Sequence, residues 1–273
     1  VLRTFGYAPE ELVGQDIAML QPEHLREVHR AGMARYLAKG TKTLNWAQID
    51  TQTLHKDGHA VDVELSFGDM QLSNDRLLVG TFRDVTARKL QQEALIKSAN
   101  FDVLTGLPNR VLLHDRIEQA IANARRHNGS FGLLYLDLDN FKIINDTLGH
   151  ESGDLLLCEA ASRLQTCVRD GDTVARVGGD EFVLLLSEMH ARNDIDLVAQ
   201  RALAVLGKTF FLGGSEGFVG VSIGASVFPE DAHSRVDLMQ HADIAMYRAK
   251  EMGRNNYQRY AEQMQSRFKW RMS

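Results

Sequence analysis

Seven residues in the second half of the chain, Arg176-Val177-Gly178-Gly179-Asp180-Glu181-Phe182, set two glycines and then two acids between strand-prone apolar runs at 173–177 and 182–186. The pattern predicts a β-hairpin with a tight turn. Glycines at the tip let a ligand approach the backbone, and adjacent carboxylates at the mouth repel each other unless a cation lies between them. Alone, such a turn is more often a solvated surface loop. A second acidic pair, Asp137 and Asp139, closes the apolar run 131–138. Strand alternation sends both acids to one side and Leu138 to the other. Were the strand end and the hairpin tip to lie side by side, Asp137, Asp180 and the Leu138 carbonyl would form an all-oxygen site suited to Mg2+ bridging triphosphate oxygens. Phe141 and Lys142 open a short helix just past the strand, where N–H groups and an ammonium can meet phosphate. Asp154 follows Gly153 at the expected start of the next helix and reads as an electrostatic cap. Lys250 and Arg254 supply two cations near the end of the last helix.

These residues need a scaffold, and the apolar periodicity supplies one. Leu113, Ile117, Ala120, Ile121 and Ala124 repeat at helical spacing and Gly129 ends the helix. The strand 131–138 follows, then helices, one with core face Leu156, Ala160, Leu164 and Cys167. The glycine hairpin comes next, then a helix over 194–206, a strand over 218–227 and a helix over 242–252. Helices against a mostly antiparallel sheet make an α/β (α+β) ferredoxin-like palm over residues 101–262.

At 273 residues, two domains are expected. A net charge of −5 gives no sign of a nucleic-acid or anionic-membrane partner, so any phosphate must be bound by local features. Two cysteines, Cys158 and Cys167, form neither a disulfide framework nor a zinc spacing, which favours the cytoplasm. The chain begins at Val1 and stops inside a helix-like segment, 263–273, read here as the start of a linker in a longer protein.

Residues 1–86 read as a separate unit: short helix 9–14, helix 25–37, and strands over 43–53, 60–70 and 76–85, with turns at His55-Lys56-Asp57-Gly58 and Ser73-Asn74-Asp75. Val61, Val63, Leu65 and Phe67 alternate with Asp62, Glu64 and Ser66, a sheet wet on one face. FGYAPEELVG, HKDGHAVDVELSF and VGTFRDVTARK resemble a PAS sensor domain whose first two strands would precede Val1. The resemblance implies a small-molecule sensor or a dimerisation module. His29 sits where haem-binding members place an iron ligand, although neither Ala47 nor Ile49 offers a distal group. Residues 87–100 read as a helical linker in which Ala87, Leu90, Ala94 and Lys97 share one face, the lysine interrupting a two-helix seam.

Residues 101–262 resemble a GGDEF diguanylate cyclase through DVLTGLPNR, LDLDNFKIINDTLGHESGD, RVGGDEF, VGVSIGAS and DIAMYRAKEMGRN. The family joins two GTP into cyclic di-GMP and two pyrophosphates. The resemblance implies that Asp137, Asp180 and the Leu138 carbonyl hold Mg2+ or Mn2+. It leaves Glu181 either a metal ligand or the base for the attacking hydroxyl. It puts Phe141, Lys142, Lys250 and Arg254 on the triphosphate beside Gly178 and Gly179, and Asn145 with Asp154 on guanine. It makes Arg169 and Asp172 an inhibitory site for the product. One domain holds one GTP, so the resemblance also implies a two-fold homodimer. The competing reading is a non-catalytic module that binds GTP or cyclic di-GMP and controls a phosphodiesterase (EAL) domain following Ser273.

Overall fold

The computed structural model describes residues 2–40, 46–72, 75–189 and 191–265. Two compact units divide inside one helix, at Leu95 and Ile96. The first unit contains α1 (Leu2–Phe5), α2 (Pro9–Leu12), a 3-10 turn at Ile17–Leu20, α3 (Glu23–Lys39), β1 (Ile49–Leu54), β2 (Ala60–Leu72) and β3 (Asp75–Asp84), and α4 (Thr86–Asn100) follows. The strands form one antiparallel sheet in the order β1-β2-β3. The apolar row of β2 works as its alternation implies: Val61, Val63 and Leu65 are buried, with Phe5 and Leu20 against the first two. On the opposite face Asp62 and Glu64 pair with Lys89 and Arg88 of α4, at 2.9 and 3.3 Å. The expected strand start at 43–45 and the turn at Ser73-Asn74 lie outside the described residues.

The second unit continues with α5 (Arg110–His127), β4 (Phe131–Asp139), α6 (Phe141–Leu148), α7 (His150–Gln165), β5 (Thr173–Gly178), β6 (Glu181–Leu186), α8 (Asp194–Leu206), β7 (Phe210–Leu212), β8 (Ser215–Gly217), β9 (Gly220–Phe228), α9 (Arg235–Glu251) and β10 (Tyr257–Arg259). Its main sheet runs β10-β9-β4-β6-β5, antiparallel except for the β9–β10 pair. Strands β4, β5, β6 and β9 and the helices between them follow the ferredoxin-like β-α-β-β-α-β order. Alternation splits the core in two. Leu134, Leu136 and Leu138 of β4 pack with α7 and α8. Leu133 and Tyr135 pack with α5 and α9.

Several expected boundaries move. The last helix starts at Arg235 rather than 242, because the Ser234 side chain accepts from the Asp237 N–H and caps it. Helix α7 starts at His150, so Gly153-Asp154 lies within it and Asp154 is not its cap; the break from α6 falls instead at Gly149, with φ +85°. The short hairpin β7–β8 and the parallel edge strand β10 carry too few residues to show a period of two. The C-terminal linker is described only as far as residue 265. Among the described residues no helix is long and apolar enough to cross a membrane.

Helix α9 rides unusually close to β9, and the sequence VGVSIGAS explains it. Val221, Ile223, Ala225 and Val227 join the core on the α7–α8 face. The intervening positions are Gly220, Ser222, Gly224 and Ser226, and a Cβ at Gly224 would collide with the backbone of Ala242, Ala245 and Met246. Replacing Gly224 by alanine must push α9 off the sheet. We expect Gly224→Ala to cost about 1–3 kcal/mol, as overpacked cores do, read as a lower urea midpoint; an unchanged midpoint would contradict this seating.

Candidate active site

The side-chain rows that face α5 and α9 begin apolar and finish acidic. On β4 the row is Leu133, Tyr135, Asp137, Asp139; on β6 it is Leu185, Val183, Glu181. The register sets Asp137 directly opposite Glu181. Gly179, at φ +48°, and Asp180 form the hairpin turn. The Leu138 N–H donates to the Asp180 carbonyl at 3.2 Å, which fastens the tip to the end of β4. Asp137 and the distant pair Asp180-Glu181 therefore share one sheet end.

Their charges are felt. Burial pushes the Asp137 carboxyl above its ordinary value; Lys250 Nζ, 2.7 Å from Oδ2, opposes this, and the charges of Asp180 and Asp139 add to it. Asp243 of α9 is likewise pushed up, first by burial and then by Glu181, with Lys250 opposing and Asp137 adding. Two turns separate Asp243 from Lys250 on α9, so both lie on the face turned to the acids. The Tyr135 hydroxyl donates to Glu181 Oε2 at 3.0 Å, and burial foremost, then the Glu181 charge, push its pKa far up. It remains a proton donor and fixes the Glu181 carboxylate. Sequence reasoning named neither Tyr135 nor Asp243; the i+7 spacing to Lys250 was the available signal for the latter.

The tip is held from behind by Arg176. Its Nε and Nη2 donate to the Gly179 carbonyl at 3.0 and 2.7 Å, and Nη1 donates to Asp102 Oδ1 at 2.9 Å. Asp102 also accepts from the Thr105 N–H and hydroxyl, at 2.9 and 2.6 Å. The DVLTGLPNR stretch thus braces the glycine turn. The other β4 acid, Asp139, is structural: it accepts from the Ser222 hydroxyl at 2.7 Å and the Asn255 N–H at 2.9 Å, anchoring the loop that carries exposed Arg254.

Beyond β4, Asn140 at φ +60° turns the chain into α6, whose N-terminus no side chain caps and which exposes Lys142. A Cβ on buried Gly153 would overlap Asn145 Oδ1 and crowd the Phe141 ring. Glycine there lets Asn145 and Phe141 lie on α7 immediately beside Asp154. The predicted residues 137, 138, 180, 181 and 250 thus gather at one sheet end, with 141, 145 and 154 grouped on α6 and α7, which follow β4. Arg169 and Asp172 sit elsewhere, in a cavity of about 550 Å3 also lined by Arg116, Asn123, Ser187 and Glu188. There Asp172 is held by the Ser187 N–H at 3.0 Å and lies 3.6 Å from the Arg169 guanidinium. In the first unit, His29 lines an apolar cavity of about 330 Å3 with Leu25, Val28, Met33, Trp46 and Phe67.

The sequence pattern described as "Diguanylate cyclase, GGDEF domain" matches residues 99–256, more than half of the chain. The chain belongs to the GGDEF family. A PAS domain pattern matches residues 1–87 ahead of it. The bifunctional diguanylate cyclase/cyclic di-GMP phosphodiesterase MucR of Pseudomonas aeruginosa is 47% identical over 163 residues, 60% of this chain and 24% of MucR. The diguanylate cyclase DgcM of Escherichia coli is 33% identical over 259 residues, 93% of this chain and 60% of DgcM. The crystallised GGDEF domain of TpbB from Pseudomonas aeruginosa is 34% identical, with a TM-score of 0.61 over 62% of this chain and 99% of that one. The chain therefore spans only part of these curated relatives, about a quarter of the first.

The brace at Asp102 has a pH signature. Burial works against its charge, but hydrogen bonds from Thr105 and Arg176 outweigh burial and hold the carboxyl below its ordinary value. A carboxyl lowered in the fold stabilises above its unfolded pKa, and that stabilisation is lost as pH falls through the lowered value. Between roughly pH 5 and pH 2 the urea midpoint should fall more steeply for the natural chain than for Asp102→Asn; equal slopes would remove Asp102 from the brace.

Proposed function

We propose that the GGDEF unit is an active diguanylate cyclase that condenses two GTP into cyclic di-GMP and releases two pyrophosphates. The observation that carries this is the meeting of Asp137 with the Gly-Gly-Asp-Glu tip at one sheet end beside Lys250. The donor set fits a hard divalent ion: carboxylates of Asp137, Asp180 and Glu181 with the Leu138 carbonyl, and carboxyls that burial and mutual repulsion leave short of positive charge. Mg2+, or Mn2+ on the same ligands, would screen the triphosphate and the charge that grows on the departing pyrophosphate.

The chain's own residues do the rest. The carboxylate of Asp154 accepts from guanine N1–H and the 2-amino group, with Asn145 beside it; adenine lacks that edge, which selects GTP. Phe141 and the start of α6 with Lys142 receive the β- and γ-phosphates, and Arg254 adds charge. The Lys250 ammonium, which neutralises Asp137 in the free protein, is freed for the triphosphate. The 3′-hydroxyl oxygen of one GTP bonds to the α-phosphorus of the other, the bond from that phosphorus to the pyrophosphate oxygen breaks, and the hydroxyl proton goes to Glu181. The same exchange in the opposite sense closes the ring.

Each unit contributes one nucleotide, so the reaction needs a two-fold homodimer, and α4 exposes Leu90 and Ala94 for such a joint. The PAS unit would bias that joint. Its cavity is mostly apolar and at the small end of ligand cavities, which suits a small apolar ligand, so we do not assign His29 as an iron ligand. We place the reaction in the cytoplasm, where two free cysteines persist. The second reading, a regulatory module ahead of a phosphodiesterase (EAL) domain, is favoured by the bifunctional name of MucR, which is four times longer than the matched part.

The two readings separate in a turnover assay with GTP and Mg2+. The natural chain should form cyclic di-GMP, and Asp180→Ala should lower kcat by about a hundredfold or more. Gly153→Ala, which displaces Asn145, should raise KM for GTP roughly tenfold and spare kcat. No product from the natural chain would favour the regulatory module. We also assign the cavity at Arg169 to cyclic di-GMP as inhibitor, two arginines and an Asp facing a dinucleotide's phosphates and guanine edges. Arg169→Ala should therefore abolish product inhibition at full initial rate; an unchanged inhibition curve would exclude the site.

A further inference from the structure

The hairpin turn between β1 and β2 gathers a different set of ligands. His55, Asp57 and His59 lie in the turn itself, between the end of β1 and the start of β2. One ligand atom from each lies within 4.8 Å of the other two. Asp57 Oδ1 is 2.9 Å from His55 Nδ1 and 2.6 Å from His59 Nδ1. The two imidazoles stack, with centroids 4.4 Å apart and planes 19° from parallel. The turn is fixed by backbone bonds: His55 N–H to the His59 carbonyl at 2.9 Å, Gly58 N–H to the His55 carbonyl at 2.9 Å, and Lys56 N–H to the Phe5 carbonyl at 2.8 Å.

The surrounding backbone orients the first of these ligands. Gly6, at φ +74°, lies against the Cε1–Nε2 edge of the His55 ring so closely that a Cβ would collide with it. The backbone covers that edge and leaves Nδ1 as the nitrogen that can take a ligand. His55 Nδ1 also has conflicting hydrogen-bond duties: the Asp57 N–H, 3.3 Å away, requires a lone pair there, whereas the Asp57 carboxylate requires a proton. An ion bound there would take the single lone pair of Nδ1 in place of the Asp57 N–H, with the Asp57 carboxylate matching its charge.

We propose that His55, Asp57 and His59 bind one borderline divalent transition-metal ion of the Zn2+ class. Two imidazole nitrogens and one carboxylate oxygen suit Zn2+, Ni2+ or Cu2+ and disfavour Mg2+. Metal bonds of about 2.0–2.1 Å in a tetrahedron put ligand atoms about 3.3 Å apart, so both nitrogens must move outward from Asp57 Oδ1 and the exposed His59 ring must turn out of the stack to aim its lone pair at the same ion as His55. Asp57 and His59 are more than half exposed, which leaves the remaining coordination to water. The site is separate from the acids of the GGDEF unit and stands whether or not that unit is a cyclase.

Titration of the full, tag-free, metal-stripped chain with Zn2+ in a large excess of Mg2+ tests this, since Mg2+ occupies the all-oxygen site. One Zn2+ per chain is expected. His59→Ala, at an exposed position, should weaken binding at least about tenfold, and Asp180→Ala should leave it unchanged. Cobalt substitution should give a visible ligand-field spectrum that His59→Ala loses. Absence of Zn2+ binding, binding unaffected by His59→Ala, or binding lost in Asp180→Ala would each overturn the proposal. His55→Ala is the weaker variant because Gly6 packs on that ring; His59→Ala decides.

Discussion

Carboxylates crowded at one end of a buried sheet repel one another, and the GGDEF unit is arranged around that repulsion. Antiparallel pairing of β4 with β6 sets Asp137 opposite Glu181, the glycine turn brings Asp180 alongside, and α9 adds Asp243. In the free chain the opposing charge is the Lys250 ammonium. An acidic end held this way is a poor contributor to stability and a good receptor for a divalent ion with a polyanion attached, because both deliver charges that the site already calls for.

The rest of the unit holds these groups where repulsion would otherwise spread them. Arg176 clamps the hairpin tip through the Gly179 carbonyl and is itself oriented by Asp102. Asp139 spends both oxygens on Ser222 and Asn255, so the outermost acid of β4 serves the loop after α9 rather than a ligand. Tyr135 fixes Glu181. The missing Cβ atoms of Gly224 and Gly153 set two close approaches, α9 on β9 and Asn145 on α7. Each supporting residue is ordinary in type, and its importance comes from what it touches.

The two units carry different ligand chemistry. The acids of the second are hard oxygen donors suited to Mg2+, whereas the hairpin tip of the first offers imidazoles, with the softer preference that nitrogen brings. The first unit also holds an apolar cavity lined mainly by α3 and β2, a lining unlike the acidic sheet end of the second.

Much of the fold was legible because long elements repeat. Apolar runs named β4, β5, β6 and α8 nearly to the residue, and five ordered motifs fixed the family and the expected site residues. Short elements were not legible: β7, β8 and β10 span three residues each, too few to carry a period. The start of α7 was expected at Gly153-Asp154 rather than at His150, because the chain break at Gly149 depends on a backbone angle, not on composition. Nor could residue type alone show that Arg176, Tyr135, Asp243 and Gly153 serve the site. By itself the sequence determined which donors exist and in what order, since periodicity and motif are local properties. Only the tertiary structure decided which of them meet, because that follows from strand register and helix seating, and these are set by contacts between residues distant in the chain.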